Sequence, residues 1–495
     1  MSDISPHNTY YPPRLVVRAS PPNIRYQISD IFLKQTVLSP TTLRAELRPT
    51  LRLALPLVLA EIGWMSMVIV DTMMVGRLPN SAASIAAVSI ASSLYLVFVF
   101  FAEGLLIGLD TLVSQAFGAG HREDCHRSLV NGIYLSFAVA PILAIPVWII
   151  PYYFEQMGVQ HEVAVLALPY MHTLAIGLLP LILYFALRRT LQGMNIVRPI
   201  AFALVSANLI NLIGNYTFIF GKFGFPALGV TGSGIATAIS RTYLTTFLAA
   251  YLLWYDHRHR TELLKTPVQP DLQRIRRLIS LGLPAALQLT AEVTVFAMVA
   301  SLIARLGAVP LAGHQIALNT VAFTYMVPLG ISSAAAVRVG QAIGRRDPAG
   351  ARDAGNTAIL LGATFMSVMS FVLLAFPRAI AHIYTYDEVV IRSASTLLIA
   401  GAAFQLFDGI QTVATGAMRG SGDTRTPMLC HFCGYWLMGV PLGAYICFKL
   451  HWGALGLWVG LSISLIIIGL LLLYFWHRRT QHLLSSVPAH SSPSP

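Results

Sequence analysis

The feature that most limits what this chain can fold into is a succession of long apolar runs with almost no charge inside them. Leu461 to Trp476, LSISLIIIGLLLLYFW, is one. A helix of about 20 apolar residues, rising ~1.5 Å per residue, crosses a ~30 Å hydrocarbon core. Inside lipid the backbone must satisfy its own hydrogen bonds, which leaves helices or a closed barrel. Barrel strands alternate apolar and polar residues, and these runs do not. Helices follow. Composition agrees: 56% of the 495 residues are hydrophobic and 11% are charged, against about 25% charge in soluble domains. The expected class is an all-α membrane protein whose first partner is the lipid bilayer.

The runs resolve into twelve spans, near 51–76, 84–118, 128–151, 162–188, 199–220, 232–256, 277–304, 311–343, 353–376, 389–417, 427–449 and 453–477. The second and eighth are too long for one crossing and are expected to project beyond the bilayer. Residues 1–46 read as a disordered cytosolic tail, with a short amphipathic piece near 31–38 and no signal-peptide core. Residues 481–495, rich in Ser and Pro, read as a second tail. Lys and Arg divide 26 to 6 between the side that holds both chain ends and the other side, with Arg241 inside a span. That split predicts a multi-pass protein of the plasma (inner) membrane with both termini cytoplasmic.

The net charge of +12 is therefore spent on topology, and no nucleic-acid partner is expected. Cys430 and Cys433 form a CxxC at the start of a span, with no second ligand pair, and read as packing residues. No GxxxxGK[ST] sequence is present, so ATP-driven pumping is not expected. The expectation is a protein that is not an enzyme and needs no organic cofactor.

The chain repeats itself. LALP at Leu53 recurs as LGLP at Leu281, and Arg77-Leu78 as Arg305-Leu306, both 228 residues on. SQAFGAG from Ser114 recurs as GQAIGRR from Gly340, offset 226, and Pro199 pairs with Pro427, offset 228. Six spans per half leave corresponding helices pointing the same way. The repeats are then parallel: a first lobe at 47–256, a basic linker at 257–276 and a second lobe at 277–480. Transporters built on such repeats bind substrate between the halves and rock them.

Ionisable groups within a bilayer are costly and tend to mark function. Here they are Glu61, Asp71, Glu103, Asp110, Arg241, Glu292 and Asp408. Gln288 and Glu292 lie four apart, on one face of the seventh span. Gln405, Asp408, Gln411 and Thr415 form a polar stripe on the tenth. Asn208, Asn211 and Asn215 share a face of the fifth, and Gln315 and Asn319 a face of the eighth, with His314 beside them as a candidate proton relay or a packed neutral ring. Glu61 and Trp64 are three apart; Trp64 is the repeat counterpart of Glu292, so the pair is expected to face the same cavity and contact a cationic substrate.

VDTMMVGRL in the first span, GLPAALQLTAEVTVFA, AGHQIALN, VRVGQAIG and DGIQTVATGAMRGSGDT together resemble the multidrug and toxic compound extrusion (MATE) family, over about residues 47 to 480. The resemblance implies two six-helix bundles forming a V, a central cavity lined by residues such as Gln288, Gln405, Gln411, Asn211, Asn215, Gln315 and Asn319, and antiport of organic cations or drugs against Na⁺ or H⁺ by a monomer. By motif, Glu292 and Asp408 match the acids of the cation site, where Na⁺ would bind, and Asp71 matches the acid of the first span. One branch of the family has an aspartate where NLIGNY places Asn215; the chain is closer to the NorM-like and eukaryotic branches. A flippase for a lipid-linked precursor, of the same wider superfamily, is the competing expectation.

Overall fold

A computed structural model describes residues 40–261 and 267–485. Residues 1–39 and 486–495, which hold most of both expected tails and the piece at 31–38, lie outside the described residues. Twelve long helical segments follow one another: α1 (Pro40–Val75), α2 (Ser81–Gly118), α3 (Arg122–Tyr153), α4 (His161–Ile176 and Leu178–Gly193), α5 (Arg198–Phe220), α6 (Val230–His259), α7 (Leu272–Ala304), α8 (Ala308–Gly344), α9 (Pro348–Ala375), α10 (Glu388–Gly420), α11 (Arg425–Lys449) and α12 (Ala454–Ser485). The described residues contain no strand.

Ten of the twelve are long and apolar enough to cross a membrane, and the two halves of α4 form an eleventh, bent by 42°. The bend falls at Gly177, where an added Cβ would press on Ala238 of α6 at 3.2 Å; it lies between Pro169 and Pro180, residues that weaken the helical ladder. The twelfth, α6, falls short in apolarity, not in length. It carries Arg241, Asp256 and several Ser and Thr over 30 residues. It packs against α4 and α5 within the first lobe, which buries Ser233, Thr237, Ser240, Arg241 and Asp256, while Thr242 and Thr246 bond back to their own helix.

Several helix ends differ from the expected boundaries. α1 begins at Pro40, inside the stretch read as tail, and α12 runs on to Ser485. The linker narrows because α6 reaches His259 and the Asp271 carboxylate caps α7, accepting from the backbone N–H groups of Gln273 and Arg274.

Apolar side chains gather in two separate large cores, one per lobe. The exceptions run both ways: Leu278 and Ala286 of α7 join the first core, while Leu53, Ala54 and Leu57 of α1, with Val197 just before α5, join the second. Each lobe thus leans the first half of its first helix on the other lobe.

The same reciprocity runs along the seam. A Cβ on Gly118 would stand 2.1 Å from the Gln341 carbonyl oxygen, and one on Gly344 would stand 2.1 Å from the Gln115 carbonyl oxygen. At offset 226, Gln115 corresponds to Gln341 and Gly118 to Gly344. Gly104 faces Ala286, and its counterpart Gly330 faces Val58, the counterpart of Ala286. Ser114 meets its own counterpart, Gly340. A pseudo-two-fold axis therefore passes beside Ser114 and Gly340, as in an isologous interface. All these contacts lie toward the end of the bundle that carries the ends of the described chain. The lobes close there, at the foot of the V.

Candidate functional site

In the second lobe α7 supplies Glu292, α10 supplies Asp408 and α11 supplies His431. Asp408 is buried and accepts from the Gln411 side-chain amide at 2.9 Å. The two carboxyls are near enough for their charges to interact, and the fields of both reach Tyr325 and Tyr435. His431 stands 3.8 Å from Glu292 through Nδ1 and shares a hydrogen bond with Thr415 Oγ1 through Nε2 at 3.3 Å.

α11 is wound as π-helix over Cys433–Gly439 and again over Tyr445–Lys449. Such turns rotate side chains off the regular α register and recur at functional sites. Here the first follows His431 directly and carries Trp436, whose indole N–H donates to the Ala291 carbonyl at 3.2 Å, one residue before Glu292. α11 and α7 are pinned together at the acid. Gln405 is fully buried and donates to Thr324 at 2.6 Å, and Gln288 is buried one turn before Glu292.

In the first lobe Asp71 of α1 is buried among neutral donors. Asn215 donates to it at 2.5 Å and Thr237 at 3.0 Å, and Asn215 also donates to Asn211 at 3.0 Å. Of the asparagines read as one face of the fifth span, Asn211 and Asn215 gather around this carboxylate, while Asn208 donates to the Gly63 carbonyl at 2.9 Å. Nearby, Arg241 donates to the Tyr95 hydroxyl at 2.6 Å and stands 4.8 Å over that ring.

A third cluster is of a different kind. Glu61 is ion-paired with Arg188, and Arg189 bonds Glu103 at 2.7 Å and Asp110 at 3.0 Å. All five belong to the first lobe, and Arg188 and Arg189 are buried. This corrects the expectation for Glu61: its charge is already met by a guanidinium, so it does not offer a free carboxylate to a cationic substrate. Trp64 lies against Phe185 of α4 with ring centroids 6.2 Å apart and packs on the first-lobe core.

His314 makes one ring contact. The Trp458 indole donates to His314 Nδ1 at 3.1 Å, so that nitrogen is an acceptor here. Gln315 and Asn319, by contrast, are exposed on α8. Sequence reasoning missed His431, Arg188 and Arg189. The two arginines look like helix-end residues, and their partners lie 79 to 127 positions away, beyond any spacing rule along one helix.

Repeated lobes with bare acids buried in each and an exposed polar face on α8 define a polytopic membrane protein of the transporter kind. The MatE family model matches the chain twice, at residues 56–217 and 284–445; both bounds of the second match lie 228 residues beyond those of the first, the offset of the internal repeat. The chain is 35% identical over 453 residues to the probable multidrug resistance protein NorM of Mesorhizobium japonicum, covering 88% of this chain and 94% of that one. It is 35% identical over 429 residues to the multidrug resistance protein MdtK of Yersinia pseudotuberculosis, covering 85% and 93%. Among solved structures the fold is similar to the eukaryotic MATE transporter AtDTX14, with TM-score 0.81 at 21% identity over 90% of this chain and 99% of that one. It is also similar to an outward-facing conformation of a multidrug resistance MATE transporter, with TM-score 0.79 at 20% identity over 88% and 96%. The chain belongs to the MatE family of multidrug efflux transporters.

Proposed function

We propose that the protein is a secondary active antiporter that exports organic cations, drugs among them, in exchange for Na⁺ or H⁺ by alternating access. The division among the acids within its spans carries this reading. Glu61, Glu103 and Asp110 are each paired with an arginine. Asp71, Glu292 and Asp408 have no Lys or Arg within ion-pair distance among the described residues; amides, hydroxyls and one histidine surround them. A buried carboxylate without a built-in counter-ion is expensive when bare. It is therefore poised to take up a proton, a Na⁺ ion or a cationic cargo and to surrender one for another. Glu292 and Asp408 form the coupling site of the second lobe, and Asp71 that of the first.

The 26-to-6 division of Lys and Arg supports both termini being cytoplasmic. With that orientation the glycine seam closes the cytoplasmic side, and the V opens outward. A flippase handling a pyrophosphate would need unpaired arginines at mid-membrane depth, beside the acids of the spans. Arg188 and Arg189 are instead consumed by acids, which favours the antiporter.

The test is ethidium efflux from proteoliposomes under an imposed Na⁺ or H⁺ gradient, one at a time. Efflux that follows one gradient and collapses in Glu292→Gln and Asp408→Asn supports the reading. Efflux indifferent to both gradients overturns it.

A further inference from the structure

At the end of the bundle carrying the chain ends, a cavity of about 640 Å³ opens beside the lobe seam. Five arginines line it and no acid does: Arg48 and Arg52 on α1, Arg198 at the start of α5, Arg338 and Arg345 on α8. Glu46 pairs with Arg338, whose Nε remains buried without a partner. The other four have no acid within ion-pair distance among the described residues.

Topology alone places arginines at this end of a membrane protein, so the repeat supplies a control. The counterpart of Arg48 is Arg276, but those of Arg52, Arg198, Arg338 and Arg345 are Ser280, Thr426, Leu112 and Ala119. The fold is therefore built at the mirrored position without four of these five charges. Their convergence on one cavity is a property of the site. Like charges so crowded call for an anion, and guanidinium forks fit phosphate oxygens in pairs.

The cavity's surroundings indicate where that anion comes from. Tyr251 lines it and packs against Trp254 at 5.4 Å, and Trp254 and Phe202 are 56% and 61% exposed on the outer surface of α6 and α5. Aromatic residues of this kind mark the depth of lipid headgroups.

We propose that this cavity binds the phosphate of an anionic phospholipid headgroup, and that the bound phosphate, gripped by arginines of both lobes, holds the lobes closed at this end. Free phosphate shares the chemistry, and the experiment separates the two sources. The full chain is placed in phosphatidylcholine nanodiscs, and its thermal unfolding midpoint is followed on adding short-chain phosphatidylglycerol or inorganic phosphate.

A saturable rise with phosphatidylglycerol, reduced at high salt, is the expected result. The double variant Arg198→Gln, Arg345→Gln should weaken the apparent affinity roughly thirtyfold, at about fivefold per basic residue near an anionic headgroup, while Lys at both positions retains most of it. An equal response to inorganic phosphate keeps the site and assigns it a soluble ligand. Absence of a saturable rise with either probe in the wild-type chain overturns the proposal, whether or not the variants fold. So does a rise that the double Gln substitution leaves unchanged.

Discussion

At the scale of single residues, the two kinds of buried acid should respond in opposite ways to the same chemical change. Glu292→Gln and Asp408→Asn remove an exchangeable charge that has no arginine partner. Each should abolish gradient-driven efflux with protein yield intact, and wild-type rates in both would remove the second-lobe coupling site. Glu61→Gln leaves the Arg188 guanidinium buried without a counter-charge, which costs on the order of 3 kcal/mol. Lower thermal stability is the expected result, with unchanged ethidium affinity in the folded fraction. A variant as stable as wild type but with a raised Michaelis constant would return Glu61 to the substrate path. What could be read in the sequence follows the range of each interaction. Gln288 with Glu292, and Asp408 with Gln411, sit at helical spacing on one strand of chain and were legible. The Glu61–Arg188 pair joins α1 to α4 and the His431–Glu292 approach joins α11 to α7; neither leaves any local periodic trace.

Individual helices were legible in number because apolar length is a local property, and their ends were not, because caps and tertiary contacts decide them. α7 shows why. Its cap, Asp271, sits in a loop otherwise readable only as basic linker, and the loop is tied down from a distance. The Asn131 side chain accepts from the Asp271 N–H at 2.8 Å, and the Tyr134 hydroxyl donates to the Val268 carbonyl at 2.7 Å. The backbone N–H of Arg274, with that of Gln273, holds the Asp271 carboxyl below its ordinary range. A depressed folded-state value means that this group stabilises the fold above the ordinary aspartate pKa of about 3.9, and that the contribution is lost as pH falls through the folded value. Asparagine caps a helix without that titration. The stability difference between wild type and Asp271→Asn, followed by thermal unfolding, should therefore be constant near neutrality and change only in the acid range; a difference that changes between pH 6 and 8 would contradict the cap. The π-helical windings of α11 had no signature in the sequence, since CGYWLMG has the composition of any membrane helix.

For the molecule as a whole, the seam predicts which substitutions change conformation rather than stability. A Cβ on Gly282 would lie 1.8 Å from the Leu105 carbonyl oxygen, a backbone atom that cannot swing aside. Gly282→Ala and Gly118→Ala should hold the lobes apart at the foot of the V. The expected outcome is a fall in transport of at least about fivefold, by analogy with an overpacking cost of ~1–3 kcal/mol. A cysteine introduced at Ser114 should then become reactive toward polar thiol reagents from the cytoplasmic side. Unaltered transport and labelling would mean that the seam yields easily. The internal repeat made the two lobes legible from sequence, yet the chain gave no sign of which end would be closed, because residues matched by repetition need not touch.

The pseudo-axis beside Ser114 and Gly340 also places the fulcrum of any rocking motion at one end of a long lever. A rotation of about 15° there displaces points a bilayer's ~30 Å away by roughly 8 Å, while atoms on the axis scarcely travel. The bearing surface is largely main chain against main chain. Glycines carry no rotamers to freeze when it shuts or to release when it parts, so each stroke of the lever can be repeated with little entropic friction at its pivot.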